Sequence, residues 1–100
     1  MKVGIMLSAS PRSPEFSAGV AQAERALHTG AQVYLYCIDS AVEGISDPRF
    51  ATLKQAGVHL YACAYSLQRR GLVSPPDATL AGLTVLSDIL ASADEFHSFN

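Results

Sequence analysis

The sequence has little charge, only two cysteines and no tryptophan. Charged residues make up 16% of its 100 residues, whereas hydrophobic residues make up 49%. Seven Lys and Arg against nine Asp and Glu give a formal net charge of −2, and Arg69-Arg70 is the only pair of adjacent basic residues. Nucleic acids and anionic membranes attract strongly basic surfaces. The composition therefore argues against both as main partners.

Long apolar runs and targeting signals are missing as well. No apolar run approaches the roughly 20 residues that a membrane-spanning helix needs. The short apolar run Val3–Leu7 passes directly into the polar segment Ser8–Arg12, which is not the pattern of a signal peptide. We therefore expect a cytoplasmic protein without a membrane span.

The two cysteines are not spaced as structural ligands. Cys37 and Cys63 form no CxxC pair and lie at no ligand spacing from a histidine, so we expect no metal site and no resident cofactor. In a reducing compartment both are expected to be free thiols. Cys37 lies inside a predicted strand and is interpreted as core, although it could act as a resolving thiol if it faces the same edge as Asp39.

Segments with strand and helix patterns alternate along the chain. The predicted strands are Lys2–Leu7, Gln32–Ile38, the segment from Gly57 to Cys63, residues 78–80 and Glu95–Phe99. The predicted helices follow Ser13-Pro14, Asp47-Pro48, Cys63 and Gly82, with a loop over residues 40–47. This alternation predicts one domain over residues 1–100, an α/β fold of three α/β/α layers. Its sheet is mostly parallel, with about five strands and flavodoxin-like topology.

The high hydrophobic content also indicates association. A domain of 100 residues buries only about 60–65% of the surface of its unfolded chain. Part of the apolar surplus is therefore expected to stay exposed, and exposed apolar patches on small proteins usually mark contacts between chains. We predict a homo-oligomer.

Cys63 is the leading candidate for a reactive residue. It stands where a predicted strand passes into a predicted helix, which in an open α/β sheet is the edge that binds ligands. Free amides at a helix start favour a thiolate. Arg69 and Arg70 lie roughly 10 Å further along the helix, and His59 lies about 13 Å back along the strand. Without a Cys–His pair the pattern favours sulfur transfer over hydrolysis, whereas an inert buried thiol is the alternative.

Other polar residues are expected at the same edge of the sheet. The carboxyl ends of parallel strands meet there, which predicts Ser8, Ser10 and Asp39 as binding groups beside Cys63, together with the two residues that follow it, Ala64 and Tyr65.

A competing interpretation uses the serine-rich loop from Ser8 to Ser13. It resembles the phosphate loop of flavodoxin-like and FMN-reductase proteins, which would make the chain an FMN-binding or phosphate-binding protein. However, Pro11 and Pro14 remove amides that such a loop would use, and Ser13 suits a helix cap. A third possibility is a non-catalytic, small-ligand-binding subunit of an oligomer.

The chain resembles the DsrE/DsrF/TusD sulfur-relay family over nearly its whole length. The resemblance lies in Leu60-Tyr61-Ala62-Cys63, in the helix end Gln68-Arg69-Arg70-Gly71-Leu72, and in the segments Leu80-Ala81-Gly82-Leu83 and Ala93-Asp94-Glu95-Phe96. It implies a DsrE-like fold and a sulfurtransferase-type protein with its persulfide on Cys63. It also implies trimers, hexamers or assemblies with related subunits, and exchange with other sulfur-carrier proteins. Family members often have Gly and a small polar residue where this chain has Ala64-Tyr65, and Tyr65 is large enough to crowd or shield the thiol.

Overall fold

Five short strands lie side by side in one parallel sheet. The computed structural model describes all residues from 1 to 100. The strands are Lys2–Leu7 (β1), Gln32–Cys37 (β2), His59–Cys63 (β3), Thr79–Ala81 (β4) and Glu95–Phe99 (β5). Their order in the sheet is β4-β3-β2-β1-β5, and every neighbouring pair is parallel. The predicted α/β class with a five-stranded parallel sheet is confirmed. The predicted flavodoxin-like topology is wrong, because that topology has the order β2-β1-β3-β4-β5, whereas β3 and β4 here lie on the same side of β1 as β2.

Four α-helices connect the strands. They are Pro14–His28 (α1), Pro48–Gln55 (α2), Ala64–Arg69 (α3) and Leu83–Ser92 (α4). Helices α1 and α2 each begin with a proline that follows a capping residue. The Ser13 side chain accepts a hydrogen bond from the Glu15 amide, and the Asp47 side chain accepts one from the Arg49 amide. None of the helices is long and apolar enough to cross a bilayer.

The segment after β2 differs from its prediction as a loop. Residues Asp39–Gly44 form a 3-10 helix. Ala41 and Val42 are fully buried there, and their burial holds the segment against the core in tight turns. Asp39 enters this helix with a φ of 53°, a left-handed conformation that Asp tolerates better than most residues. The chain therefore turns sharply at the carboxyl end of β2.

The two faces of the sheet are covered unequally. Helices α1 and α2 pack on one face and enclose the main core, to which β3 contributes Leu60 and Ala62. On the other face α4 is the only helix. Its residue Ile89 packs there in a small cluster with Tyr36, Cys63 and Ala81. The half-buried aromatic residues around this cluster, Tyr34, Tyr61 and Phe96, show how incomplete that cover is.

Helix α4 approaches the sheet closely at Gly4. A Cβ atom at this position would lie 2.7 Å from Cγ2 of Ile89 and 2.9 Å from a ring carbon of Phe96. Both distances are shorter than non-bonded carbon atoms accept. The absence of a side chain at Gly4 therefore lets Ile89 pack onto the second face of the sheet.

We expect the substitution Gly4→Val to lower the free energy of unfolding by about 1–3 kcal/mol, because the added methyl groups overpack the contact with Ile89. Urea denaturation measures this change. Ser98→Val is the matched control, since Ser98 lies on the same sheet face in the adjacent strand but is exposed. A control loss equal to that of Gly4→Val would contradict the role of close packing.

Candidate functional site

Cys63 ends strand β3 and forms the cap of helix α3. Its backbone is extended, with φ −64° and ψ 115°, and the chain becomes helical at the next residue. Only 3% of Cys63 is exposed, and its neighbours in the small cluster are Tyr36, Ala81 and Ile89. The candidate nucleophile is therefore a nearly enclosed thiol, and a reaction partner must displace part of its cover.

The surroundings of Cys63 favour its thiolate. Burial raises the pKa of the thiol and is the largest single influence. The hydroxyl and amide of Ser66, the hydroxyl of Tyr36 and the amide of Tyr65 act in the opposite direction, and together they bring the pKa below its ordinary value. None of these amides makes a regular capping hydrogen bond with the side chain. The stabilisation therefore comes from several weakly directed donors.

Ser66 is the donor that best fits this role. Its side chain is buried, and its Oγ accepts a hydrogen bond of 3.0 Å from the Asp39 amide. A hydroxyl has one proton to donate besides the lone pairs that accept. Since the Asp39 amide uses a lone pair, the Ser66 proton remains available to Sγ of Cys63.

Tyr36 lies beneath the thiol as a second hydroxyl. Its side chain is fully buried, and its Oη lies 3.2 Å from the Ala81 carbonyl oxygen, which competes with the Cys63 sulfur for the one phenol proton. Burial, followed by the nearby Cys63 charge and hydrogen bond, raises the pKa of the Tyr36 phenol. The phenol therefore keeps its proton at neutral pH and cannot act there as a general base.

A cleft of about 450 Å³ opens beside the thiol, between the 3-10 helix and α3. It is lined by Asp39, Tyr65, Ser66, Arg69 and Arg70. Cys63 does not line this cleft, but two of the lining residues, Tyr65 and Ser66, also act on its thiol. The cleft thus lies next to the thiol without exposing it.

The side chains of Arg69 and Arg70 extend back along α3 towards its first turn. Helical side chains point towards the start of their helix. Accordingly, Nη1 of Arg69 lies 3.3 Å from the Tyr65 hydroxyl, and Nη1 of Arg70 lies 3.4 Å from the Ser66 carbonyl oxygen. The arginines line the cleft, although neither contributes to the lowered pKa of Cys63.

The predicted binding residues divide into two groups. Asp39 and Tyr65 line the cleft. Ser8 and Ser10 follow β1, two strands away from β3. The Ser8 hydroxyl donates to Asn100 over 2.8 Å, and the Ser10 hydroxyl accepts from the Arg12 amide. The structure does not bring these two serines to the cleft.

The remaining expectations concern the residues directly after Cys63. Ala64 lies on a different groove, which it shares with Leu67 and Leu72. Tyr65 was expected to crowd the thiol, but its side chain is 65% exposed and its hydroxyl lies beside Arg69. The cluster on the second sheet face encloses Cys63 instead.

Cys37 lies on the opposite face of the sheet from Cys63. It belongs to the main core and is fully buried, and burial raises the pKa of its thiol to about 12. In the parallel register Cys37 pairs with Ala62, the residue before Cys63, so the two thiols point to opposite faces. The interpretation of Cys37 as core fits this position, whereas a resolving thiol would have to face Cys63.

Sequence reasoning missed Ser66 and Tyr36. Ser66 had a local signal, since it lies three residues after the capping Cys63, a spacing at which cap side chains meet the first helical turn. Tyr36 had none, because its contact with Cys63 requires the pairing of β2 with β3. No group of three or more His, Cys, Asp or Glu side chains is placed to hold a metal ion.

Comparison with known proteins identifies relatives over the whole fold. The profile of the DsrE/DsrF-like family matches residues 1–99. The YchN protein from E. coli has a similar structure, with a TM-score of 0.73 at 18% identity over 99% of both chains. A conserved protein of unknown function from Bacteroides thetaiotaomicron, BT1422, gives a TM-score of 0.78 at 14% identity. That match covers 97% of this chain and 93% of the other. A search of curated proteins finds no significant match.

We expect Cys63 to be alkylated by iodoacetamide with a midpoint below the pH of about 8.5 that is typical of a free thiol, because its pKa is lowered. Ser66→Ala should move this midpoint to higher pH by removing a donor to the thiolate. The pH dependence of the rate, followed by mass spectrometry, measures both, and its midpoint is independent of how slowly the enclosed thiol reacts.

Cys37→Ala provides the background for this titration, because only Cys63 then remains to react. Cys63→Ser provides the control, in which Cys37 should stay unmodified until the protein unfolds. An unchanged midpoint in Ser66→Ala would contradict the role assigned to the Ser66 hydroxyl.

Proposed function

Because the chain belongs to the DsrE/DsrF-like family, we propose that it is a sulfur-relay protein that carries sulfur as a persulfide on Cys63. Family membership supports a sulfur-relay role in broad terms. The lowered pKa of the Cys63 thiol is the observation that supports this residue as the carrier. We further propose that residues 1–100 act as one DsrE-like domain.

The proposed reaction is a transfer of sulfur between two thiols. The Cys63 thiolate attacks the outer sulfur of a donor persulfide, a new S–S bond forms at Sγ, and the donor's own S–S bond breaks. The donor leaves as a thiolate, so atoms and electrons balance without another oxidant or reductant. An acceptor thiolate then removes the outer sulfur from Cys63 in the same way.

The residues around Cys63 suit this reaction better than hydrolysis. Ser66 offers its proton to an anionic sulfur, and neither Ser66 nor Tyr36 accepts a proton from a nucleophile at neutral pH. A thiolate attacking sulfur needs no general base, whereas hydrolysis through a cysteine needs one. The nearly complete burial of Cys63 would also shield a persulfide from reaction with solvent.

The main test is to load the protein with inorganic polysulfide and weigh it by mass spectrometry. The wild type and Cys37→Ala should each gain one sulfur atom that a reducing thiol removes, because both retain Cys63. Cys63→Ser should gain none. A wild type that takes up no sulfur, or a Cys63→Ser protein that still does, would contradict the proposal.

We also propose that the protein works as a homo-oligomer, a trimer or hexamer, or with related subunits, and that it exchanges sulfur with other carrier proteins. DsrE family members are often oligomeric. In this chain Leu83 and Leu90 are each more than half exposed, and both lie on α4, the helix that covers the second face incompletely. Such residues are typical of a contact between chains.

Light scattering after size-exclusion chromatography tests this assembly, and we expect three or six times the chain mass of 10.6 kDa. A mass equal to one chain at micromolar concentration would contradict it. Leu83→Lys should reduce the mass, because it places a charge among the exposed leucines. Val73→Lys makes the same change at another exposed apolar position, in the loop before β4.

A further inference from the structure

The cleft beside Cys63 contains two charged groups of opposite sign that have no ionic partner. Asp39 and Arg69 both line it, yet neither takes part in any of the ion pairs that the chain forms. The Arg69 guanidinium donates a hydrogen bond of 3.3 Å to a neutral group, the hydroxyl of Tyr65. The cleft therefore presents one free carboxylate and one free guanidinium to a ligand.

The second arginine of the cleft is already neutralised. Nε of Arg70 lies 3.2 Å from the Glu43 carboxylate, and its Nη1 lies 3.4 Å from the Ser66 carbonyl oxygen. Arg70 therefore mainly links the 3-10 helix to α3 and lines the cleft between them. The ligand-binding charges that remain are Asp39 and Arg69.

We propose that this cleft binds the α-amino-acid group of a low-molecular-weight persulfide, with Arg69 pairing with its carboxylate and Asp39 with its ammonium. The inference rests on the proposed function of Cys63, for which it names the class of donor. An α-amino-acid group carries the same two charges as the cleft with their signs reversed. A simple dianion such as thiosulfate would pair with Arg69 but would meet the Asp39 carboxylate.

The size and position of the cleft suit such a donor. Its volume of about 450 Å³ is near the lower end of small-molecule sites, enough for an amino acid or a short peptide thiol. Ser66 forms its inner wall and is also a donor to the Cys63 thiol. A persulfide held by its amino-acid group could therefore direct its sulfur past Ser66 towards Sγ.

The reaction in this cleft balances without a further reagent. The Cys63 thiolate bonds to the outer sulfur of the persulfide, and the S–S bond of the donor breaks. The free amino-acid thiol leaves as its thiolate, and Cys63 holds the persulfide. The oxidised sulfur atom moves from one thiol to the other.

Binding of unreactive thioethers to the wild-type protein tests the charge pattern. Isothermal titration with S-methyl-L-cysteine should give an affinity about tenfold or more above that of 3-(methylthio)propanoate, which lacks the ammonium group, and of 2-(methylthio)ethylamine, which lacks the carboxylate. S-methylglutathione is the second probe, and tighter binding of it than of S-methyl-L-cysteine would identify a glutathione-type donor. The proposal would be overturned if neither S-methyl-L-cysteine nor S-methylglutathione bound more tightly than the two probes that lack one charged group.

Two variants assign the charges to residues. Asp39→Asn should bind S-methyl-L-cysteine no better than it binds 3-(methylthio)propanoate, and Asn also tolerates the left-handed backbone at this position. Arg69→Gln should bind S-methyl-L-cysteine no better than it binds 2-(methylthio)ethylamine, which lacks the carboxylate. Arg25→Gln is the matched control, because Arg25 lies in α1 away from the cleft and bonds only to Gln22. An equal loss in the control would overturn the assignment.

Sulfur loading separates this inference from the proposed function. With cysteine persulfide as the donor, Asp39→Asn and Arg69→Gln should load Cys63 about tenfold more slowly than the wild type. With inorganic polysulfide, which has no amino-acid group, the loss of rate should be smaller, and Arg25→Gln should load at the wild-type rate from both donors. Equal rates with cysteine persulfide would overturn the donor class alone, whereas failure of Cys63 to load from either donor would overturn the sulfur relay itself.

Discussion

The hydrogen bond from the Asp39 amide to the Ser66 hydroxyl holds the candidate site together. It joins the carboxyl end of β2 to the first turn of α3 over 3.0 Å. By occupying a lone pair of Ser66, it leaves the hydroxyl proton for the Cys63 thiolate. It also sets the two sides of the cleft, since Asp39 lies on one side and Arg69 on the other. The environment of the thiol and the shape of the cleft thus depend on the same contact, and its loss would leave a part-buried amide donor without a partner.

The thiol combines an environment that favours charge with one that excludes solvent. Burial alone would raise the pKa of Cys63, as it does for Cys37 in the main core. The difference between these two cysteines is the presence of donors: Cys63 has the Ser66 and Tyr36 hydroxyls and helix amides, whereas burial alone acts on Cys37. The second sheet face therefore carries the candidate reactive thiol, and the first carries most of the packing.

Much of the fold could be predicted from the sequence because its signals are local. Proline after Ser13 and Asp47 marked the starts of α1 and α2, and the apolar runs marked the strands. Residues 40–47 were predicted as a loop, because the burial of Ala41 and Val42, which shapes the 3-10 helix, depends on tertiary contacts. The strand order places Ser8 and Ser10 two strands from Cys63, so sharing one sheet edge did not make them neighbours. The rise per residue put the arginines too far from Cys63 to act on its pKa, and neither contributes to it, but it gave no sign that their side chains line the cleft.

The central claim is that hydrogen-bond donors lower the pKa of the Cys63 thiol inside a nearly closed cluster. A nuclear magnetic resonance titration of protein labelled with ¹³C at the cysteine Cβ measures this directly, because the Cβ shift reports the protonation of its own sulfur. We predict that the Cys63 resonance titrates below the pH of about 8.5 typical of free cysteine, while the Cys37 resonance stays in its thiol form throughout the range in which the protein is folded. A Cys63 midpoint at or above 8.5 would contradict the account.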